Sequence, residues 1–315
     1  MIINDEIISN IYLNLFVNTI FYTLILMIFP VILLAILSLI KIKKETNNNN
    51  SLIYMYSFST GMFLMIGAFG FLREGYNIAQ IFTHDPSTGI SKEIYRMLVI
   101  VGIVGISSLV GFSLVIGGKY LFIKKSKIDL HSEHHNHDHS DHLVSFKDID
   151  NPKAAWLAIL MLLSHRIIDG LFIGYSISRI ILTKNTFSSS LILLITFTIH
   201  MIFEMIIVYF RQIQYGEKKK KAILYNFLTF LLIIPFILIG AFTGVALSQN
   251  SLQWIQSGLL IMGGSIIIFT AVFELIPEFI HIKNKDTKTL YKTLIIFSLS
   301  IVLTIMILSF HTHIR

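Results

Sequence analysis

The chain has 315 residues, 54% of them hydrophobic and 14% charged, with no cysteine and a formal net charge of +7. A soluble domain carries about a quarter charged residues, so the composition excludes a large water-soluble domain and predicts one membrane-embedded domain over residues 1–315. Without Cys there are no thiolate metal ligands, disulfides or Cys nucleophiles. The basic residues fall between apolar runs, where they meet lipid headgroups and not nucleic acid.

Apolar runs of about 18 residues or more, enough to cross a bilayer, recur at roughly 14–40, 51–72, 97–121, 153–182, 187–210, 222–248, 253–280 and 289–310. They predict an all-α polytopic helix bundle with about eight transmembrane helices. Met1 to Asn10 has no basic stretch and no small-residue cleavage site, so the first run is expected to be a retained span. Lys41, Lys43 and Lys44 follow the first run, and Lys124, Lys125 and Lys127 follow the third. Arg211 and Lys218 to Lys221 follow the fifth; Lys283, Lys285, Lys288 and Lys292 follow the seventh. Basic loops stay in the cytoplasm, which predicts that both termini are extracytoplasmic.

Two connectors are biased in composition. The four Asn within Thr46 to Ser51 suggest a flexible link. The segment from about 124 to 152 contains HSEHHNHDHSDH at 131–142. Such a stretch cannot bury a core and is expected to be disordered and cytoplasmic. Its imidazoles, on His131, His134, His135, His137, His139 and His142, are candidates for weak metal collection. Gly170 with Gly174, and Gly240 with Gly244, have the spacing that lets helices pack closely in lipid.

Ionisable groups at membrane depth are costly and mark cavities, partners or ions. The fourth run carries His165, Arg166 and Asp169, and the fifth carries His200 and Glu204. A separation of four residues puts His165 with Asp169, and His200 with Glu204, on one helical face each. Two imidazoles and two carboxylates on facing helices suit a borderline divalent cation, whether Zn2+, Fe2+, Mn2+ or Co2+. The plainer reading is a His–Asp hydrogen bond joining helices. Arg166 would repel a cation unless carboxylates offset it. Asp169 and the neighbouring carboxylates Glu74, Glu274 and Glu278 are its candidate partners, and those three also mark a candidate ion pathway.

At these residues the chain resembles the ZIP family of metal-ion transporters. The resemblance rests on H-x-x-x-D-G at His165, Asp169 and Gly170, then on H-x-x-x-E at His200 and Glu204. S-F-x-x-G-x-F-L at Ser57 to Leu64 and E-L-I-P-E at Glu274 to Glu278 support it. It implies a multi-pass cell-membrane protein that moves divalent metals, zinc first, toward the cytoplasm through a site between spans four and five. It implies no cofactor beyond the transported ion, no enzymatic activity, and the lipid bilayer and metal ions as partners; a homodimer is compatible with it. Where many members have Asn after the span-four His, this chain has Arg166; where many have a carboxylate or amide after the span-five His, it has Met201. Those departures imply one transported ion, with the guanidinium in the space of a second. Ile168 and Phe203 stand where the family has Pro.

Three other readings share parts of this pattern. An exporter of the cation diffusion facilitator type uses H-x-x-x-D pairs and His-rich loops, but with six spans and a soluble C-terminal domain. An intramembrane metalloenzyme or sensor would need a metal-bound water and a general base, and no H-E-x-x-H is present. A ZIP-like chain that has lost its site would also explain Arg166.

Overall fold

The computed structural model describes residues 10–39, 50–126, 166–183, 189–214, 217–247, 252–276 and 286–309. Every long regular element among them is helical, as lipid demands of a backbone that must satisfy its own polar groups. In chain order these are α1 (Ile11–Leu39), α2 (Asn50–Met65), α3 (Arg73–His84), α4 (Glu93–Ser126), α5 (Arg166–Thr183), α6 (Ser189–Gln214), α7 (Lys219–Leu231), α8 (Ile233–Ala246), α9 (Gln253–Thr270) and α10 (Thr287–Ser309). A π-helical turn, Ile66–Leu72, joins α2 to α3, and another, Ala271–Leu275, follows α9.

Among the described residues, six helices are long and apolar enough to cross a membrane: Ile11–Leu39, Ile53–His84, Glu93–Gly118, Lys219–Ala246, Gln253–Phe273 and Thr287–Ser309. The second extends past the predicted end at residue 72, because α3 is amphipathic and still buries Gly75, Ile78, Ala79 and Thr83. The α2 helix that opens it begins at Asn50, inside the predicted flexible link. The turn from α3 to α4 is locally built. The Asp85 carboxylate accepts from the Ser87 N–H at 2.8 Å; the Ser87 side chain first, and this backbone bond second, hold its carboxyl below the usual range, and Gly89 closes the turn at φ 69°.

The polarity of α1 runs inside out relative to a soluble helix. Asn14, Asn18, Thr19 and Thr23 are buried, while Ile11, Phe16, Leu24, Ile28 and Ile32 are exposed on the outer surface. The Asn18 side chain donates to Asn14 Oδ1 at 2.6 Å, and Thr23 donates to the Thr19 carbonyl at 2.7 Å. Polar groups turned inward and paired, with aliphatics turned outward, fit a lipid solvent.

The helices pack as two groups. One contains α1, α5, α6, α7 and α8; the other contains α2, α3, α4, α9 and α10. Within the first, α5 and α8 meet backbone to backbone at the two small-residue motifs. A Cβ on Gly170 would stand 2.8 Å from Phe236 Cβ, one on Gly174 2.6 Å from the Ala241 nitrogen, and one on Gly240 2.7 Å from the Leu171 carbonyl carbon. Within the second, Ser57 Oγ donates to the Thr293 carbonyl at 2.8 Å, and Ser257 Oγ donates to the Gly75 carbonyl at 2.6 Å.

The groups meet where α2 and its π-helical turn face α6. Rings form the seam: Phe58 lies 4.6 Å from Phe203, and Phe71 lies 4.3 Å from Phe172 and 5.1 Å from Phe197, between centroids. Between them, Phe63 stands edge-on to the His200 imidazole at 3.8 Å. Phe71 of the π-helical turn thus packs on Phe172 of α5 and Phe197 of α6; such distortions recur at functional sites.

Candidate metal centre

Within the apolar interior, α5 and α6 build a buried polar knot. Asp169 sits near the start of α5, and His200 and Glu204 stand one turn apart on α6. Their relative exposures are 0%, 2% and 1%, so the three are withdrawn from both lipid and water. His200 Nε2 lies 3.9 Å from Asp169 Oδ2 and 3.9 Å from Glu204 Oε2. One ligand atom from each residue falls within 4.8 Å of the others. Zinc bonds of about 2.0–2.2 Å in tetrahedral array separate ligand atoms by about 3.4 Å, so a contraction of about half an ångström would close the two His200 contacts on an ion.

Arg166 is also buried, at 1% exposure. Its Nε donates to Glu204 Oε1 at 3.1 Å, its Nη1 donates to Thr229 Oγ1 at 3.2 Å, and its Cζ lies 5.6 Å from the centroid of the Phe230 ring. The Glu204 carboxylate is thus divided: one oxygen meets the guanidinium and the other faces His200. The guanidinium thus places a positive charge directly beside the triad.

The sequence offers Asp169, Glu74, Glu274 and Glu278 as partners for Arg166. The observed partner is Glu204, because α5 and α6 face each other directly at this level. Met201, at 1% exposure, contributes its side chain to the apolar core. Glu74 lies apart from the triad. It and Arg179 act electrostatically on Tyr175, whose hydroxyl meets Gln256 Nε2. This second polar cluster joins α5 of one helix group to α3 and α9 of the other. His131, His134, His135, His137, His139, His142, His165 and Glu278 lie outside the described residues, and for Glu274 only its backbone place in the π-helical turn is described.

Thr229, Asn226 and Gln212 escape a reading of the sequence. Asn226 Nδ2 donates to Gln212 Oε1 at 3.0 Å, and both residues are buried. The available signal is an amide at the edge of each apolar run, but both lie near the Lys218–Lys221 cluster, where polar residues read as loop flanks.

A divided carboxylate, a buried imidazole and a second carboxylate on two facing helices are a group that could hold a divalent cation. Residues 122–307, more than half of the chain, match the family described as ZIP Zinc transporter. The chain belongs to the ZIP zinc transporter family. Among curated proteins, none matches it. Family membership and the several long apolar helices make it an integral membrane protein, and the buried Asp169–His200–Glu204 group is consistent with transport of a divalent metal.

Proposed function

We propose that this ZIP family member imports divalent metal, zinc first, one ion at a time, through a site formed by His165, Asp169, His200 and Glu204. The observation that carries this reading is the buried convergence of Asp169, His200 and Glu204, with one Glu204 oxygen already committed to Arg166. That geometry supports three of the four ligands; His165 joins them by its position one turn before Asp169 in the sequence. The chain's own charges do the electrostatic work. Two carboxylates less one guanidinium leave a single net negative charge to receive a dication, and Arg166 takes the place that a second ion would need.

In this account the chain is one membrane domain with about eight spans and extracytoplasmic termini, set by the alternation of basic loops. Import requires the site to open to each side in turn. The two helix groups, meeting along the Phe58–Phe63–Phe71 seam, are the parts that would shift. The loop histidines at 131–142 would collect ions arriving in the cytoplasm. Glu74, Glu274 and Glu278 would line the route, and the cell membrane, with the chain alone or as a homodimer, is the setting.

Uptake of radiolabelled zinc into proteoliposomes tests the reading. Wild type is expected to show saturable uptake, and His200→Ala is expected to reduce it by at least the roughly 10–100-fold that losing a mere outer-shell partner of a metal ligand costs. Saturable uptake that survives in His200→Ala would overturn the site assignment. Metal movement only from the cytoplasmic face outward would overturn the direction.

A further inference from the structure

Resting on that reading, the hydrogen bonds around Arg166 carry a further step. Its Nε and Nη1 are engaged, but Nη2 is a buried donor with no hydrogen-bond partner among the described residues. On α7, Asn226 Oδ1 is a buried acceptor, likewise without a partner among them. The Asn226 side-chain nitrogen donates toward Gln212 Oε1 and the Ala222 carbonyl at 3.0 Å each, which fixes the amide and leaves the oxygen open. Thr229 bridges the two. Its Oγ1 accepts from Arg166 Nη1 at 3.2 Å and donates to the Asn226 carbonyl at 2.9 Å. A donor and an acceptor left unmade in one buried region are costly, unless they meet in another state.

We infer that Arg166 has two berths: Glu204 when the site is empty, and Asn226 when a cation fills it. An ion on Glu204 Oε2 would share a carboxylate with the guanidinium, and the repulsion is strong in a dry interior. The guanidinium then needs another acceptor. Asn226 lies three residues from Thr229 on the same helix, an axial step of about 4.5 Å, within the swing of a long side chain pivoting on Thr229. When the ion leaves, the guanidinium returns to Glu204 and keeps the empty site from holding an unpaired carboxylate. Asn226 is then a positioning residue that acts through Arg166, and the buried Gln212 holds it in place.

The test is zinc binding to the full-length purified protein, taking the component lost in His200→Ala, for wild type, Asn226→Leu, Arg166→Met and the double variant. With Arg166 present, Asn226→Leu should weaken binding about tenfold or more, the loss of one hydrogen bond to a charged group. With Arg166→Met, the same change should matter by less than about twofold. Equal weakening in both backgrounds, as expected of mere helix glue, overturns the inference, as does no weakening in the first. Should the leucine variant fail to fold, Asn226→Asp gives the opposite sign. A carboxylate berth draws the guanidinium from Glu204, so Asn226→Asp should tighten zinc binding more in the otherwise native protein than in the Arg166→Met background. Unchanged or weaker binding in the otherwise native protein overturns the inference. A wild type that binds no divalent cation overturns the transport reading as well, and is told apart because it shows before any substitution is made.

Discussion

Glu204→Ala is expected to abolish zinc uptake and to destabilise the protein at the same time. The carboxylate serves two partners, with one oxygen toward His200 and the other on Arg166 at 3.1 Å. Both members of the ion pair are 1% exposed, so removing one leaves a charge that neither water nor lipid can solvate. Breaking a buried pair in this way costs about 3–5 kcal/mol. Thermal melting in detergent should show a large fall for Glu204→Ala. The double variant Glu204→Ala with Arg166→Met should recover much of that loss, because no unpaired charge remains, while uptake stays absent. A melting temperature for Glu204→Ala equal to wild type would contradict the pair's structural role.

Gly174→Ala should produce the other large effect, through packing alone. The added Cβ would overlap the Ile237 carbonyl oxygen and stand 2.6 Å from the Ala241 nitrogen. Both are backbone atoms of α8 and cannot rotate aside, so α5 and α8 must separate. Overpacking of this kind costs about 1–3 kcal/mol and more where nothing can relax. Since α5 also carries Arg166 and Asp169, uptake should fall with stability. Gly105→Ala on α4 is the matched control: nothing lies within 4 Å of its added Cβ, and the change should stay within about 0.5 kcal/mol. Thermal melting of the two variants side by side reads the difference.

Much of the architecture was legible because lipid imposes long apolar runs, and Ile11–Leu39, Glu93–Gly118 and Thr287–Ser309 announce themselves by length alone. The pairing of the small-residue motifs was legible only as a tendency. Spacing shows that Gly170, Gly174, Gly240 and Gly244 lie on helix faces, but not that those faces meet each other. Of the triad, spacing places only His200 and Glu204 on one helical face; that Asp169 of α5 meets them depends on how α5 and α6 pack. The partner of Arg166 was not among the candidates Asp169, Glu74, Glu274 and Glu278, because which carboxylate reaches the guanidinium depends on how α5 and α6 turn toward each other. The π-helical turn at Ile66–Leu72 had no signature beyond Gly67 and Gly70, because its register depends on packing against α9. Asn226 and Gln212 went unread because an amide near a basic loop looks solvated until the fold buries it.

The most direct test of a one-ion centre with a built-in guanidinium is metal counting on the purified protein. The six histidines at 131–142 would be replaced by serine, so that the ions counted are those inside the bundle. One zinc per chain, retained against a weak chelator and lost in His200→Ala, is the predicted result. Two tightly held ions per chain would contradict the account, because two carboxylates beside a buried guanidinium carry too little negative charge to offset a second dication.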